Sequence, residues 1–314
     1  MTVRKTLSTF VPRYERSRTV IEPPVLEPPT TGAPDDAPGP WAGAPSALVV
    51  DGTTWLAYRL AAPGHRGYAN VLARSDDGLS FETVFELRKE RFDAMSLERP
   101  ALVVTPEGLW RLYVSCATPG TKHWRVDVLE AATPGGLTDA PSHTVLPGDV
   151  DGLAVKDPVL LYAGDRWHLL ASCHPLDDRM TTRYATSPDG ITWHWEGTVL
   201  HGREGAWDAR GARVTAVVFD DFKATALYDG RATAEENWEE RTGAAVGRVD
   251  RGVDDTLKFG EFTAQGTAPA AASPHGSGGL RYVAVVEQPR GDHRLYYEAA
   301  SGGGSHELRT EQVT

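Results

Sequence analysis

Ala44-Pro45-Ser46-Ala47-Leu48-Val49-Val50, Arg99-Pro100-Ala101-Leu102-Val103-Val104, Asp157-Pro158-Val159-Leu160-Leu161-Tyr162, Arg213-Val214-Thr215-Ala216-Val217-Val218 and Ala268-Pro269-Ala270-Ala271-Ala272-Ser273 are five versions of one phrase. From Pro45 to Pro100, Pro158, Val214 and Pro269 the steps are 55, 58, 56 and 55 residues. Proline suits the first position of a strand, where its missing N–H and fixed φ are tolerated. After each anchor comes a polar turn and then a second apolar run, opened by Trp55, Trp110, Trp167, Lys223 and Arg281. Third runs begin at Asn70, Arg125, Thr182, Ala244 and Arg294, and fourth runs follow most of them. Two turns are near copies, Ser75-Asp76-Asp77-Gly78-Leu79-Ser80-Phe81 and Ser187-Pro188-Asp189-Gly190-Ile191-Thr192-Trp193. In both, Asp-Gly supplies the positive φ of a tight turn. Five repeats of a four-stranded unit predict an all-β chain, a five-bladed β-propeller over residues 41–314. Residues 1–40, with Pro23-Pro24 and Pro28-Pro29, read as an extended arm, part of which supplies a strand that closes the ring.

The 314 residues are 40% hydrophobic and 24% charged, enough for a large core and incompatible with dominant disorder. Lys plus Arg number 32 against 43 Asp plus Glu, a net charge of -11 that offers no basic field to nucleic acid or to an anionic membrane. No secretory leader or membrane-length apolar run is legible, which makes the cytoplasm the expected location. Cys116 and Cys173 are too few for a disulfide scaffold and read as buried reduced thiols. No Walker, GxGxxG or His-Glu-x-x-His pattern occurs, so no cofactor or metal is expected. The acidic run Glu235-Glu236 with Glu239-Glu240 reads as a solvated face.

In a propeller the start of each first strand and the end of each second strand share one mouth of the channel. The starts bring Glu98-Arg99, Lys156-Asp157 and Arg213 together, and the ends add Arg59, His174, Tyr228-Asp229 with Arg231 beyond, and Glu287. Small residues of the first and fifth repeats, Gly43-Ala44 and Thr267-Ala268, are expected to leave room for a ligand.

The repeat, the Ser-x-Asp-Gly-x-Ser/Thr-Phe/Trp turns, Glu98-Arg99-Pro100 and Lys156-Asp157-Pro158 together resemble the five-bladed glycosidases, the arabinanases, xylosidases, invertases and their mannoside-phosphorylase relatives. The resemblance spans roughly Trp41 to Glu298. It implies that Glu98 is a general acid and Asp157 a supporting carboxylate. It implies a third carboxylate opening the first blade, where this chain has Ala44-Pro45, and the Glu-bearing and Asp-bearing blades come here in reversed order. Asp208 is then the candidate third carboxylate, with Asp229, Glu287 and Asp36 as alternatives. Arg99, Lys156, His174, Arg213, Tyr228, Asp229, Arg231 and Glu287 are candidate sugar contacts. Glycosidic cleavage needs one carboxylic acid with a raised pKa and one carboxylate. Neighbouring cations oppose that rise, so direct pairing of Glu98 with Arg99 or Lys156 weakens the acid role. The expected function is hydrolysis of a small glycoside or oligosaccharide. A phosphorylase using Arg99, Lys156, Arg213 and Arg231 to hold phosphate, and a non-catalytic carbohydrate-binding propeller, are the alternatives.

Overall fold

The computed structural model describes residues 10–26, 39–148, 154–175, 177, 179–252, 256–288 and 291–313. Asp36 lies outside the described residues. Among them there is no α-helix, and no helix long and apolar enough to cross a membrane. Runs rich in Val, Leu, Tyr and Thr, punctuated by Gly and Asp, form short antiparallel strands.

The strands pair in groups of four. The first group is β2 (Trp41–Val50), β3 (Thr53–Ala62), β4 (His65–Ser75) and β5 (Glu82–Arg88), and the second is β6 (Ala101–Val104), β7 (Trp110–Ala117), β8 (Trp124–Ala131) and β9 (Ser142–Leu146). The third comprises β10 (Ala154–Ala163), β11 (Arg166–His174), β12 (Thr181–Ser187) and β13 (His194–Leu200), and the fourth β14 (Gly211–Phe219), β15 (Lys223–Arg231), β16 (Arg241–Arg251) and β17 (Leu257–Gln265). In the fifth, β18 (Leu280–Glu287), β19 (His293–Ala300) and β20 (His306–Val313) are completed by β1 (Arg18–Ile21), which pairs antiparallel to β20.

This fifth group differs from the sequence expectation by one strand. Ala268–Ser273 is not a first strand: Ala271 makes an isolated bridge to Thr242, and the Ala-rich run has too little apolar bulk to anchor a sheet. The run opened by Arg281 is the first strand of the group, not the second, and the arm supplies the fourth.

Each first strand touches the next in cyclic order: β2 with β6, β6 with β10, β10 with β14, β14 with β18, and β18 with β2. Apolar clusters fill every seam between consecutive groups, including the closing one, where Leu56 and Tyr58 meet Val286 and Tyr296. Each such side chain contributes about 1.5–3 kcal/mol by leaving water. The copied turns fasten the groups together. Asp77 Oδ1 accepts the N–H groups of Leu79 and Ser80, and Tyr296 of the fifth group donates its hydroxyl to Gly78 O at 2.8 Å. Asp189 repeats this with Ile191 and Thr192, and Tyr113 of the second group donates to Gly190 O at 2.8 Å. Gly190 is favoured by its φ of 75°, and a Cβ there would also displace Arg111 Nη1, which would lie 2.6 Å away.

Candidate active site

Four first strands break register near their start, at Gly43/Ser46, Lys156/Val159, Val214/Ala216 and Arg281/Ala284. A bulge inserts one residue and re-aims its side chain. In three of them a non-glycine residue takes the left-handed conformation: Ala44 (φ 53°), Asp157 (φ 55°) and Tyr282 (φ 56°). That conformation costs about 1–2 kcal/mol per residue. It swings Asp157 and Tyr282 toward the same mouth, and Pro45 and Pro158 behind two of the bulges have no N–H to leave unpaired.

The result is a buried lattice of charges. Glu98 is 3% exposed and Asp157 fully buried. Glu98 Oε2 pairs with Arg59 and accepts the Tyr282 hydroxyl at 3.2 Å. Asp157 Oδ2 accepts Arg213 Nη1 at 3.0 Å and lies 3.4 Å from the same Tyr282 hydroxyl. Lys156 Nζ sits 3.8 Å from Glu98 and 3.7 Å from Asp157. Arg213 turns its other edge to Asp229 Oδ2, at 2.7 Å from Nη2, while Asp229 also accepts the Tyr282 N–H at 3.1 Å. On the far side, Arg281 joins Glu240 to Glu298, and Glu298 also receives Arg59 Nη2 at 3.3 Å and His306 Nδ1 at 2.7 Å. Trp41 stacks on His306 with ring centroids 4.8 Å apart.

Burial alone would raise every one of these carboxyls, and the cations decide which stay ionised. For Glu98 the upward push of burial is overcome by Arg59, then Lys156, Arg66 and Arg281, which hold the carboxyl well below its ordinary range. An acid needs the opposite. Glu240 is likewise brought down to about 2, burial being outweighed by Arg281, Arg213 and Arg231, and Glu298 falls well below its ordinary value. Asp229 goes the other way: burial lifts it to about 6 despite Arg213. Burial also brings Arg99 down to about 10 and keeps the Tyr282 phenol protonated.

His306 gives a pH test. Burial would lower its pKa, but Glu239 at 3.5 Å and Glu298 raise it, against the opposing charge of Arg281. A raised value means the folded state binds the proton more tightly. Its stabilising contribution is therefore complete below the ordinary histidine pKa of about 6.5 and is lost as pH rises through the elevated folded value. Urea unfolding of wild type and His306→Gln across pH 5.5–9 should show a stability gap that narrows with rising pH. A gap that widens with pH would mean that the imidazole is not charged.

Of the expected site residues, Glu98, Arg99, Lys156, Asp157, Arg213 and Asp229 meet in this lattice, and Arg231 joins it through Glu240 at 3.7 Å. His174 lines the cavity above it. Three reach neither the lattice nor the cavity lining. Glu287 is exposed at the opposite end of β18, a consequence of the one-strand shift. Asp208 is fully buried, but it is taken by Arg203 and by the Tyr228 hydroxyl at 2.7 Å. Tyr228 itself packs in the seam between the third and fourth groups and stacks on Trp207. Neighbours in a strand face opposite sides, so Asp229 and Tyr228 cannot both point into the mouth. The expected space beside Gly43 is also filled, since a Cβ there would lie 2.0 Å from Glu298 Oε2. Arg281, Tyr282 and Glu298 were missed because they stand at strand-one start and strand-two end only in the corrected register. Glu240 is not a solvated charge but 3% exposed.

The open space is lined from the first, second, third and fourth groups. It is a cavity of about 510 Å³ bounded by Arg66, Lys122, Trp124, Lys156, His174 and Arg231, among others. The arrangement of strands has counterparts among solved structures. The fold is shared with solved glycoside hydrolases. A GH43 enzyme from Xanthomonas citri in complex with xylose matches at TM-score 0.62 and 15% identity, over 87% of each chain. An α-L-arabinofuranosidase from Lactobacillus brevis matches at 0.62 and 16%, over 87% of this chain and 90% of that one. A structure from the GH130 family of mannoside phosphorylases, which contains glycoside hydrolases that target β-1,2 mannosidic linkages in Candida mannan, matches at 0.59 and 15%, over 86% and 83%. These are the kinds of enzyme that the motifs resemble. No protein-family model matches the sequence, and no curated protein does.

Proposed function

We propose that this chain is a five-bladed β-propeller glycosidase that hydrolyses a small glycoside or oligosaccharide in the cavity over Lys156. The cyclic contacts of the first strands and the five filled seams support the blade count. The observation that carries the activity is the meeting of Glu98 and Asp157, from different blades, on one hydroxyl and one ammonium directly behind that cavity. Glu98, ionised at rest, acts as the carboxylate that activates water or supports the cationic sugar of the transition state. Asp229 is the carboxyl of the lattice that burial raises, to about 6, and the proton for the leaving oxygen is assigned to it. A chain with two cysteines, both buried, suits a cytoplasmic setting, where no disulfide framework is needed.

Phosphorolysis is the second reading. It is favoured by Ala44 standing where a third carboxylate is expected and by the cations along the cavity wall. Turnover of an aryl-glycoside panel, with and without phosphate, separates the readings. Hydrolysis is expected without phosphate; strict phosphate dependence would establish the second reading, and saturable sugar binding without any cleavage would leave a binding propeller.

A further inference from the structure

The walls of the cavity are unusual for a neutral sugar. A neutral sugar presents hydroxyls that both donate and accept, so its site supplies both kinds of partner. Here the lining carries Arg66, Lys122, Lys156 and Arg231 with His123 and His174, and no carboxylate side chain among the described residues. Arginine and lysine only donate. The one side-chain amide oxygen, on Asn237, is already taken by Arg231.

Much of this donor capacity is unspent. Among the described residues the Arg66 side chain makes no hydrogen bond; it rests over the Trp238 ring at 5.5 Å and acts on Glu98 through its charge alone. Lys122 is exposed, and its ammonium makes no hydrogen bond to the described residues. Lys156 lies beyond hydrogen-bond distance of both its carboxylates. The lattice behind does not absorb the excess: the cations Arg59, Arg99, Lys156, Arg213, Arg231 and Arg281 face the carboxylates Glu98, Asp157, Asp229, Glu240 and Glu298, and burial raises Asp229 to about 6. On a chain of net charge -11 this is a local positive field at the mouth of a cavity.

We propose that the cavity takes a sugar bearing its own carboxylate, a hexuronic acid residue, whose anionic group is held by Lys156 with Arg66 and Lys122. The volume of about 510 Å³ is far more than a free oxyanion fills and suits a uronic acid joined to a second sugar. Trp124, Ala154, Pro175 and Ala234 give the same cavity an apolar wall for the ring carbons. This substrate class rests on the cavity being the sugar site proposed above, but its test is binding and does not need turnover.

Titration calorimetry on the full chain compares methyl glucuronides and galacturonides with methyl glucosides and galactosides, pairs that differ only at C6, and with inorganic phosphate. At least one uronide is expected to bind tenfold or more tightly than its neutral partner. The preference should shrink with added salt and fall at least several-fold in Lys122→Met and Arg66→Met, which replace groups without buried ion pairs. Equal affinity within every pair, no binding by any uronide, or binding of phosphate alone overturns the proposal. Cleavage of neutral aryl glycosides without uronide preference would overturn it while leaving the glycosidase reading intact. Uronide binding without any turnover would do the reverse.

Discussion

Glu98→Gln should lower kcat/KM by about a hundredfold or more, and by nearly the same factor for every leaving group. Gln keeps the size of the side chain and can still accept the Tyr282 hydroxyl, so what is lost is the charge. Arg59 retains Glu298 at 3.3 Å and Lys156 retains Asp157 at 3.7 Å, and the fold should persist. A carboxylate that supports positive charge on the sugar matters equally for good and poor leaving groups. The proton donor matters most for poor ones. Asp229→Asn should therefore show a loss that grows with leaving-group pKa, because burial, working against Arg213, leaves that carboxyl at about 6. The measurement is kcat/KM for wild type and both variants on aryl glycosides of graded leaving-group pKa, with thermal unfolding alongside. A loss in Glu98→Gln that grows with leaving-group pKa would return the acid role to Glu98. A ratio near one in a folded variant would remove Glu98 from catalysis.

The parts of this site that were legible in the sequence are those at the start of a proline-anchored strand. Pro100 stands just before β6 and Pro158 at the bulge of β10, so the carboxylates ahead of them, Glu98 and Asp157, were placed at one mouth before any contact was known. The fifth group of strands misled because Pro269 falls at the expected spacing by coincidence, while the true strand, Leu280–Glu287, has no proline and follows a longer connection. That connection shifts the group by one strand and calls in residues 18–21 as the missing fourth: a strand from the arm was expected, but its partner β20, far away along the chain, is set by the shifted register. Burial of Glu240 was hidden for a related reason. Its partners Arg281 and Arg231 come from other strands, so within its own acidic run it is indistinguishable from a surface charge. Tyr282 carries a positive φ that local sequence gives no reason to assign to a tyrosine. Its strain becomes intelligible only as the means by which one residue reaches Glu98, Asp157 and Asp229 together.

Arg281→Met should be the most destabilising single change in the lattice, costing about 3–5 kcal/mol at neutral pH. Arg281 is buried, joins Glu240 to Glu298, and lies 5.4 Å from the Trp41 ring centroid and 5.1 Å from that of Tyr282. Met replaces its length and its contact with the rings but not its charge. Glu240 is then left with Arg231 at 3.7 Å, and Glu298 with Arg59 and His306. A buried carboxylate short of cations has its folded pKa raised, the reverse of the lowering that Arg281 now imposes on both. The sign of the pH dependence follows. In wild type the two carboxylates add stability above their ordinary pKa, and it is lost as pH falls through their depressed folded values. In Arg281→Met they cost stability at neutral pH, and protonation on acidification relieves the cost. The gap between the two proteins in urea unfolding should therefore narrow from pH 7 toward pH 4. Adding Glu240→Gln to Arg281→Met should recover part of the loss, although Glu240→Gln alone destabilises, because only in the double variant is the uncompensated charge removed. A loss below about 1 kcal/mol, or a gap that widens on acidification, would show that Glu240 and Glu298 do not depend on this arginine and that the lattice is not held by charge pairing.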